Sequence, residues 1–419
     1  MNRLENEIRN YAWGSREVIA TLLGREAGDE PEAELWLGAH PLGSSRIAGC
    51  DSPQTLKEEI ELDPQRHLGE AVHAEFPSRL PFLFKVLAAD RPLSLQAHPS
   101  AQKARAGFAA EEERGVPIDD PTRSYRDSFD KPELFVALTQ CEVLCGFRPA
   151  SEAADILARL GISQLSPYIA SLLTGRAADG LRVVVTTLLS LPAAAKSTLA
   201  GQVVQECRRI LGSDQPGPHA GAYAWAVRLG ESYPGDIGVV LSLLLNLIAL
   251  EPDQAVFVGP GMLHAYLYGA GLEAQANSDN TLRGGLTPKH VDVAELLKIL
   301  DFEPATDQII APVEVEAGEP CAGARTWRTP ARAFALYDWQ LNGERSHELR
   351  AAGPSIVLCL AGQLTLSNAS GELELRKGDS VYIASHEPQV TVSGAGRLSH
   401  VTVGQVPRSH KPVESQNNG

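Results

Sequence analysis

The sequence predicts a mainly β protein in which a helical insertion interrupts a first β domain and a second β domain follows. Up to residue 148, strand-like apolar runs alternate with Gly and Pro turns. Residues 149–236 instead carry apolar side chains at helical spacing, for example in the run 181–189. Beyond Pro312 the chain consists of short strand-like segments separated by turns, which is typical of a β-barrel or sandwich.

These changes of pattern set the expected domain boundaries, and a length of 419 residues suits two or three domains. The first β domain comprises residues 1–148 and 237–308, the helical insertion residues 149–236, the second β domain residues 309–407, and the polar tail residues 408–419. The most apolar run, residues 237–250, is shorter than the roughly 18 residues that span a bilayer, so we interpret it as a buried helix.

Charge and cysteine usage limit the classes of partner. The formal net charge is -15, from 52 acidic and 37 basic residues, which argues against nucleic acid and against an anionic membrane surface. A phosphorylated ligand would therefore need a local basic cluster. The first seven residues have no apolar core, so we expect no signal peptide. The six cysteines are scattered, which favours a reducing, cytoplasmic compartment. We expect a monomer.

A first candidate segment is residues 94–98 (SLQAH). If it is a strand, alternation places Ser94, Gln96 and His98 on one face and the apolar residues on the other. Taken alone, this pattern also fits an exposed strand face with a hydrogen-bonded histidine.

Two further segments carry polar residues next to apolar strands. Lys131 and Glu133 share a face in residues 130–136 (DKPELFV), which alone fits an ordinary surface Lys/Glu pair. His264 follows a Pro-Gly turn after an apolar strand, where a histidine can equally cap its own turn. With Gln96 and His98, these residues offer two imidazoles, a carboxylate and an amide oxygen, a donor set that suits Zn²⁺ or Fe²⁺.

Residues 273–289 form the fourth candidate segment. Polar residues alternate with small ones, and turn-forming residues then surround Arg283. Arginine binds phosphate bidentately, and Lys289 adds a second cation nearby. Gly284 and Gly285 would allow the backbone to approach a ligand. Taken alone, the segment also fits a solvated turn.

At these residues the chain closely resembles the type I mannose-6-phosphate isomerases of the cupin superfamily, along most of residues 6–300. The stretches that carry the resemblance are residues 10–15 (NYAWGS), 34–38 (ELWLG), 96–99 (QAHP), 131–134 (KPEL) and 273–289. The last of these is highly specific. The chain departs from the family's pattern at two places. It has Asp130 where the family usually has histidine, and its turn before His264 does not begin with proline, as the family's more often does. An acid at position 130 could weaken phosphate binding or tune Lys131.

The resemblance implies a fold of two cupin-type jelly-roll barrels with an α-helical domain inserted in the first. It implies one Zn²⁺ per chain, ligated by Gln96, His98, Glu133 and His264. It also implies that Arg283 is the catalytic residue and that the substrate pocket is lined by Ser94, Lys131, Glu273 and Lys289. The expected reaction is the reversible aldose–ketose isomerisation of mannose 6-phosphate and fructose 6-phosphate, through a cis-enediolate with Glu273 or Lys131 as base.

Two other functions remain open at this point. An iron-dependent cupin oxygenase could use the same two histidines and the carboxylate, and a sugar-binding or regulatory cupin could use the fold without catalysis. The second β domain has no His-x-His pair and no Pro-Gly-x-x-His turn, so we expect it to bind no catalytic metal.

Overall fold

A computed structural model describes residues 1–49, 55–351, 353–387 and 389–404. The predicted polar tail, residues 408–419, lies outside the described residues, as do the last three residues assigned to the second β domain. The chain forms two compact units. Counting only the described residues, the first consists of those in the ranges 1–6, 37–83 and 313–404, and the second of residues 7–36 and 84–312.

The first 148 residues contain short strands and helices. The strands are β1 (Asn2–Glu5), β2 (Glu7–Arg9), β3 (Glu34–His40), β4 (Gly43–Ser44), β5 (Arg46–Ile47), β6 (Phe82–Ala89), β7 (Leu95–Ala97), β8 (Glu133–Ala137) and β9 (Cys141–Phe147). The helices are α1 (Val18–Leu22), α2 (Leu56–Leu62), α3 (Pro64–Leu68), α4 (Glu70–Glu75) and α5 (Ala101–Glu113).

The helical insertion forms where the helical spacing predicts it. Its elements, with a helix that follows it, are α6 (Ala150–Arg159), a 3₁₀ turn (Ser163–Leu165), α7 (Ser166–Leu172), α8 (Ala177–Ser190), α9 (Ala193–Leu211), α10 (Ala220–Ser232) and α11 (Gly238–Ser242). The apolar positions of α8 and α9, such as Val184, Leu188 and Val203, are fully buried in one core. Burial of these faces from water is what holds the insertion together.

The rest of the chain is β-rich. The strands are β10 (Leu245–Leu250), β11 (Ala255–Val258), β12 (His264–Ala276), β13 (Leu282–Gly285), β14 (Ile309–Ile310), β15 (Val313–Glu314), β16 (Arg325–Thr326), β17 (Ala335–Asn342), β18 (His347–Leu349), β19 (Ser355–Asn368), β20 (Gly371–Arg376), β21 (Ser380–Ile383) and β22 (Val390–Thr402). One helix, α12 (Val293–Ile299), lies between β13 and β14.

The long strand β12 organises the sheet that carries the candidate site. Its second half pairs antiparallel with β8, so that Gln275 lies opposite Glu133. Its first half pairs with β7 and β9, and His264 lies opposite Gln96. On its other side β7 pairs with β13, which places Arg283 opposite Gln96. Segments that are far apart in sequence are thus brought to one region by a single strand.

The other sheet has the strand order β15-β16-β17-β22-β19-β21-β1-β5. The pairing of β1 with β21, Asn2 opposite Tyr382, places the N-terminus in the same unit as the C-terminal strands. Residues 37–83 belong to that unit as well. The compact units thus group residues 37–83 with the C-terminal strands, a long-range association that leaves no trace in local composition. The boundaries predicted from the sequence, with all of residues 1–148 in the first domain, stay a prediction.

The interpretation of residues 237–250 as one buried helix was wrong. The helix α11 ends at Ser242, and the strand β10 then pairs with β9. Asn246 donates from its side-chain amide to the carbonyl oxygen of Ala305 at 3.0 Å and to those of the β9 residues 145–147. A short, uniformly apolar run does not separate helix from strand by its period, and here the pairing with β9 decides the outcome.

Among the described residues, no single helix is long and apolar enough to cross a membrane. The helices α8 and α9 reach the required length and composition only as a pair, and they are bent by 115° relative to each other. Their apolar side chains pack in the core of the insertion.

Candidate active site

Three of the residues singled out in the sequence meet in one buried cluster. The ligand atoms of His98, Glu133 and His264 all lie within 4.8 Å of one another. His98 Nε2 is 3.2 Å from Glu133 Oε1, and His264 Nε2 is 3.5 Å from Glu133 Oε2. All three residues are at most 1% exposed. Two imidazoles and a carboxylate held this closely form a donor set typical of a transition-metal site.

Backbone carbonyls fix the orientation of both imidazoles. His98 Nδ1 lies 2.7 Å from the Asn280 carbonyl oxygen, and His264 Nδ1 lies 3.1 Å from that of Met262. Because a carbonyl oxygen only accepts, each Nδ1 carries the proton and each Nε2 keeps its lone pair. His98 Nε2 makes no hydrogen bond of good geometry. Both Nε2 atoms therefore face Glu133 without a proton, so each has an electron pair that can bind a metal ion, as in metal-ligating histidines.

The Pro-Gly turn positions His264 and also contacts His98. Gly261 has φ +78°, and a Cβ there would lie 2.6 Å from the Ile299 carbonyl oxygen, so only glycine fits without strain. Its amide donates to the His98 carbonyl oxygen at 2.8 Å. The turn therefore holds the backbone of His98 by a hydrogen bond, and His264 follows the same turn in the chain.

The carboxylate of Glu133 is surrounded by donors and positive charge. Lys131 Nζ lies 3.2 Å from Oε1, and the Tyr266 hydroxyl donates to Oε2 at 3.3 Å. Burial alone would raise the pKa of Glu133, but His98 and Lys131 outweigh this effect and hold the pKa well below its usual value. Burial, reinforced by Lys131, lowers the pKa of His98 to about 4. At neutral pH the carboxylate is charged and the imidazole neutral, and both forms are able to bind a cation.

Gln96 joins the cluster through its side-chain amide. Its Nε2 lies 3.3 Å from His264 Nε2, in accord with the lone pair on that imidazole. A metal ligand would have to present Oε1 instead, and rotating the amide exchanges the two atoms in nearly the same place.

A buried ion-pair network beside the cluster was missed in the sequence. Lys85 Nζ lies 3.0 Å from Glu273 Oε2 and 3.7 Å from Glu34 Oε1, and all three residues are at most 7% exposed. The indole of Trp36 donates to Glu34 at 2.7 Å. Lys85 itself could have indicated this network. It lies within strand β6, whose residues are all buried, and a buried charge is stable only with a partner.

The network sets the charge state of Glu273. Burial raises the pKa of this carboxyl, although Lys85 works against the shift. For Lys85, burial alone would lower the pKa, but Glu273 and Glu34 outweigh it and raise the pKa above its usual value. A carboxylate with a raised pKa in a water-poor site is suited to accept a proton.

Arg283 lies half-buried on β13, and Lys289 lies exposed in the turn that follows this strand. Ser94 is half-buried, one residue before β7. For one of the two glycines the structure gives a different reason from the expected one. A Cβ on Gly285 would meet Asp236 and Gly238 at 2.8–2.9 Å, so the close approach there is to another part of the chain.

Asn280 is a second residue that sequence reasoning missed. It is fully buried, and its side chain binds the segment before Lys131: Oδ1 accepts from the Arg126 amide at 2.7 Å, and Nδ2 donates to the carbonyl oxygens of Asp127 and Phe129 at 2.8 Å. No local pattern marks this role, because Asn-rich turns are common on protein surfaces.

Comparison with known proteins assigns the chain to a family. Residues 1–150 match the model of the phosphomannose isomerase type I catalytic domain, and residues 325–403 match that of the mannose-6-phosphate isomerase cupin domain. The mannose-6-phosphate isomerase of Escherichia coli is 38% identical over 409 residues, covering 96% of this chain and 99% of that protein. The chain belongs to the type I phosphomannose isomerase family.

More distant members and solved structures agree. The human mannose-6-phosphate isomerase is 30% identical over 403 residues, covering 91% of this chain and 92% of that protein. A crystal structure of a zinc-bound mannose 6-phosphate isomerase superposes with a TM-score of 0.85 at 35% identity, covering 96% of this chain and 99% of that one. The mainly β architecture with a cupin domain expected from the sequence is confirmed.

Proposed function

We propose that the protein interconverts D-mannose 6-phosphate and D-fructose 6-phosphate as an aldose–ketose isomerase. The observation that carries this proposal is the meeting of His98, Glu133 and His264 in one buried cluster within a chain of this family. An iron-dependent oxygenase has less support, because the relatives named here are sugar-phosphate isomerases and one of their structures is described as zinc bound.

Zinc fits the residues at the cluster. His98, Glu133 and His264 would hold the ion, with Gln96 as a further ligand through its amide oxygen, giving one Zn²⁺ per chain. The fit rests on the two unprotonated Nε2 atoms beside a charged carboxylate. When bound, Zn²⁺ supplies a positive charge that polarises the sugar carbonyl as a Lewis acid.

The surrounding residues supply the proton chemistry. Isomerisation moves a hydrogen between C1 and C2. In the route that we propose, a base takes a proton from one carbon and returns one to the other through a cis-enediolate, while a proton moves between the oxygens of the same two carbons. Glu273 is our first candidate, since burial raises its pKa, and Lys131 is the second. Lys85 holds Glu273 in position by its ion pair. Hydrogen bonds from Arg283 would stabilise negative charge on the substrate, with Ser94 and Lys289 as further contacts.

A coupled assay tests the proposal. Mannose 6-phosphate is supplied, and fructose 6-phosphate is measured with and without a chelator. We expect turnover that the chelator abolishes and that added Zn²⁺ restores. If the zinc-loaded enzyme converts no sugar phosphate, or if the enzyme loaded with Fe²⁺ consumes O₂, the proposed isomerase activity is excluded.

We also infer that each unit is built on one cupin barrel and that the first unit, which carries His347, His386 and His400, binds no catalytic metal. A sugar phosphate would be the partner, and neither nucleic acid nor a membrane would bind. The described cysteines are free thiols, which supports a reducing, cytoplasmic compartment. A monomer is expected, and light scattering of the purified protein checks it.

A further inference from the structure

A network of hydrogen bonds joins two loops of the unit that carries the metal-site cluster. One loop, residues 126–130, leads towards strand β8, and the other, residues 277–281, connects β12 to β13. The half-buried Asp127 is the acceptor on the first loop: its carboxylate accepts from the Ser278 hydroxyl and from the Asp279 amide, both at 2.8 Å. Because 151 positions separate Asp127 from Ser278, the network is a tertiary contact and not a local turn.

Asn280 continues the network from the second loop. Its side-chain Nδ2 donates to the Asp127 carboxylate at 3.1 Å and to the carbonyl oxygens of Asp127 and Phe129 at 2.8 Å. Its Oδ1 accepts from the backbone amides of Arg126 at 2.7 Å and of Asp127 at 3.2 Å. Rotating the side-chain amide by half a turn would set donors against donors and acceptors against acceptors, so this fully buried residue is held in one orientation.

The same residue holds His98 through its backbone. The Asn280 carbonyl oxygen accepts from His98 Nδ1 at 2.7 Å, which leaves Nε2 as the nitrogen that faces Glu133. A carbonyl oxygen is part of the main chain, so its position depends on whatever fixes its peptide group. Here the side chains of Asn280 and Asp127 fix it, by the hydrogen bonds between the two loops.

We propose that Asp127 and Asn280 are positioning residues for the metal centre and that they act through His98. They hold the carbonyl oxygen that keeps the proton of His98 on Nδ1 and directs Nε2 towards the other ligands. Replacing a group that orients a ligating histidine typically costs about 10- to 100-fold in metal affinity or activity. This inference rests on the proposed function and deepens it, because it extends the zinc site to the residues that orient one of its ligands.

A role of the network in fold stability alone predicts a different result. If the hydrogen bonds only tied the two loops together, their loss would lower the unfolding midpoint, and the folded protein would keep the tautomer of His98 and its affinity for zinc. A positioning role predicts that both of these properties change in protein that is still folded. The tautomer of His98 is therefore the readout that separates the two roles.

The test uses the full-length protein with Asp127→Ala, with Asn280→Ala and with both substitutions combined. Ser278→Ala is a milder variant, because it removes only the hydroxyl that donates to the Asp127 carboxylate. Asp120→Asn is the matched control: it changes the net charge as Asp127→Ala does, and its carboxylate accepts hydrogen bonds from Thr122 within its own turn.

Three measurements are made on each variant. Nitrogen-15 NMR of histidine-labelled, zinc-free protein reports the tautomer of His98, whose signal is assigned by its absence from His98→Gln. Competition with a chromophoric chelator gives the dissociation constant of zinc. Urea unfolding shows whether the variant is folded under the conditions of the other two measurements.

We expect His98 of the wild-type protein to carry its proton on Nδ1, and we expect a mixture of tautomers in Asp127→Ala and in Asn280→Ala. The dissociation constant of zinc should rise by about 10- to 100-fold in each of them. The combined variant should lose no more affinity than the more damaging single variant, because both residues act on one peptide group.

Ser278→Ala should raise the dissociation constant of zinc by about 2- to 10-fold, the effect of one hydrogen bond, and Asp120→Asn should not change it. A wild-type tautomer and zinc affinity in folded Asp127→Ala and Asn280→Ala would overturn the inference, as would additive losses in the combined variant. If the alanine variants at 127 and 280 do not fold, an unchanged zinc affinity in Ser278→Ala overturns it.

The proposed function can fail separately from this inference. If the wild-type protein binds no zinc, or binds it and isomerises no mannose 6-phosphate, the proposed function is wrong. The tautomer of His98 in the zinc-free variants still decides whether Asp127 and Asn280 position this imidazole.

Discussion

The Nδ1 atom of His98 donates to the carbonyl oxygen of Asn280 over 2.7 Å, across 182 positions of the sequence. The contact fixes which imidazole nitrogen carries the proton and leaves Nε2 facing Glu133. A histidine on an exposed strand face would need no such long-range partner. The bond therefore favours a metal-binding role for His98 over the alternative of an exposed strand face.

The metal centre leads to the first prediction. His264→Ala removes one of two imidazole donors, and we expect zinc content and turnover to fall together by more than about tenfold, because a site with few ligands tolerates little loss. Metal analysis after dialysis and the coupled assay measure both. His219→Ala, in the helical insertion, should change neither. Full occupancy and a normal rate in His264→Ala would remove this residue from the site.

Arg283→Lys tests the role of the guanidinium. Lysine keeps a charge but loses the planar pair of donors, so we expect kcat to fall by about 10- to 100-fold while zinc content stays normal. A fall in kcat without a loss of zinc would show that the guanidinium acts on the substrate and is not needed for metal binding. A near-normal kcat would mean that Arg283 is only part of a solvated turn, and loss of zinc would mean that it supports the fold of the site.

The first unit, which contains the C-terminal strands, offers a test of acid stability. His400 is fully buried, and burial lowers its pKa to about 4. An unfolded chain binds a proton at this position near pH 6.5, so folding is opposed as the pH falls from about 6.5 to about 4. The cost is on the order of 3 kcal/mol, from about 1.4 kcal/mol per pH unit.

We expect His400→Asn to flatten the dependence of unfolding free energy on pH over this window, whatever its effect at pH 7. Urea unfolding at several pH values, followed by circular dichroism, measures the slope. His73→Asn, which substitutes a histidine that is not fully buried, is the control and should retain the wild-type slope. Parallel curves for wild type and His400→Asn would show that His400 does not titrate on unfolding.

Asp338 anchors a buried charge cluster in the same unit. It is fully buried and pairs with Arg325 at 2.7 Å and with Arg397 at 2.9 Å. Removing one member of a buried pair leaves the other without compensation, which typically costs about 3–5 kcal/mol. We expect Asp338→Ala to lower the denaturant midpoint accordingly, whereas Glu314→Ala, an exposed acid, should shift it little. Unfolding midpoints equal to wild type would show that the cluster contributes no net stability.

The limits of sequence reasoning follow from where the information lies. The helices of the insertion follow a local pattern of apolar residues, and they form where this pattern predicts them. The convergence of His98, Glu133 and His264 depends on the register of β12, which pairs with both β7 and β8. Local patterns do not contain that register, so the family resemblance was needed to connect the three segments.

The residues that were missed share one property: their role depends on a partner far along the chain. The burial of Lys85 is explained by its ion pair with Glu273, which lies 188 positions later in the sequence. The role of Asn280 is explained by its hydrogen bonds to the segment before Lys131. For the same reason, local composition gives no sign that residues 37–83 group with the C-terminal strands. Propensity and alternation describe the strand on which a residue lies, but the partner that compensates a buried charge belongs to the tertiary fold.

The last prediction concerns how hydrogen moves between C1 and C2 of the sugar. A direct hydride shift needs no base, whereas transfer of a proton through an enediolate does. Glu273 is a buried carboxyl whose pKa is raised, mainly by burial, so it is better matched to proton transfer near neutral pH than an ordinary glutamate. A general base contributes about 10²- to 10⁴-fold to a rate, so we expect Glu273→Gln to lower kcat within that range. In D₂O, proton transfer should leave deuterium at C1 or C2 of product or recovered substrate, which NMR detects, although a shielded base can return part of the original hydrogen. Complete retention of hydrogen after many turnovers at equilibrium, together with a normal rate for Glu273→Gln, would instead support the hydride shift.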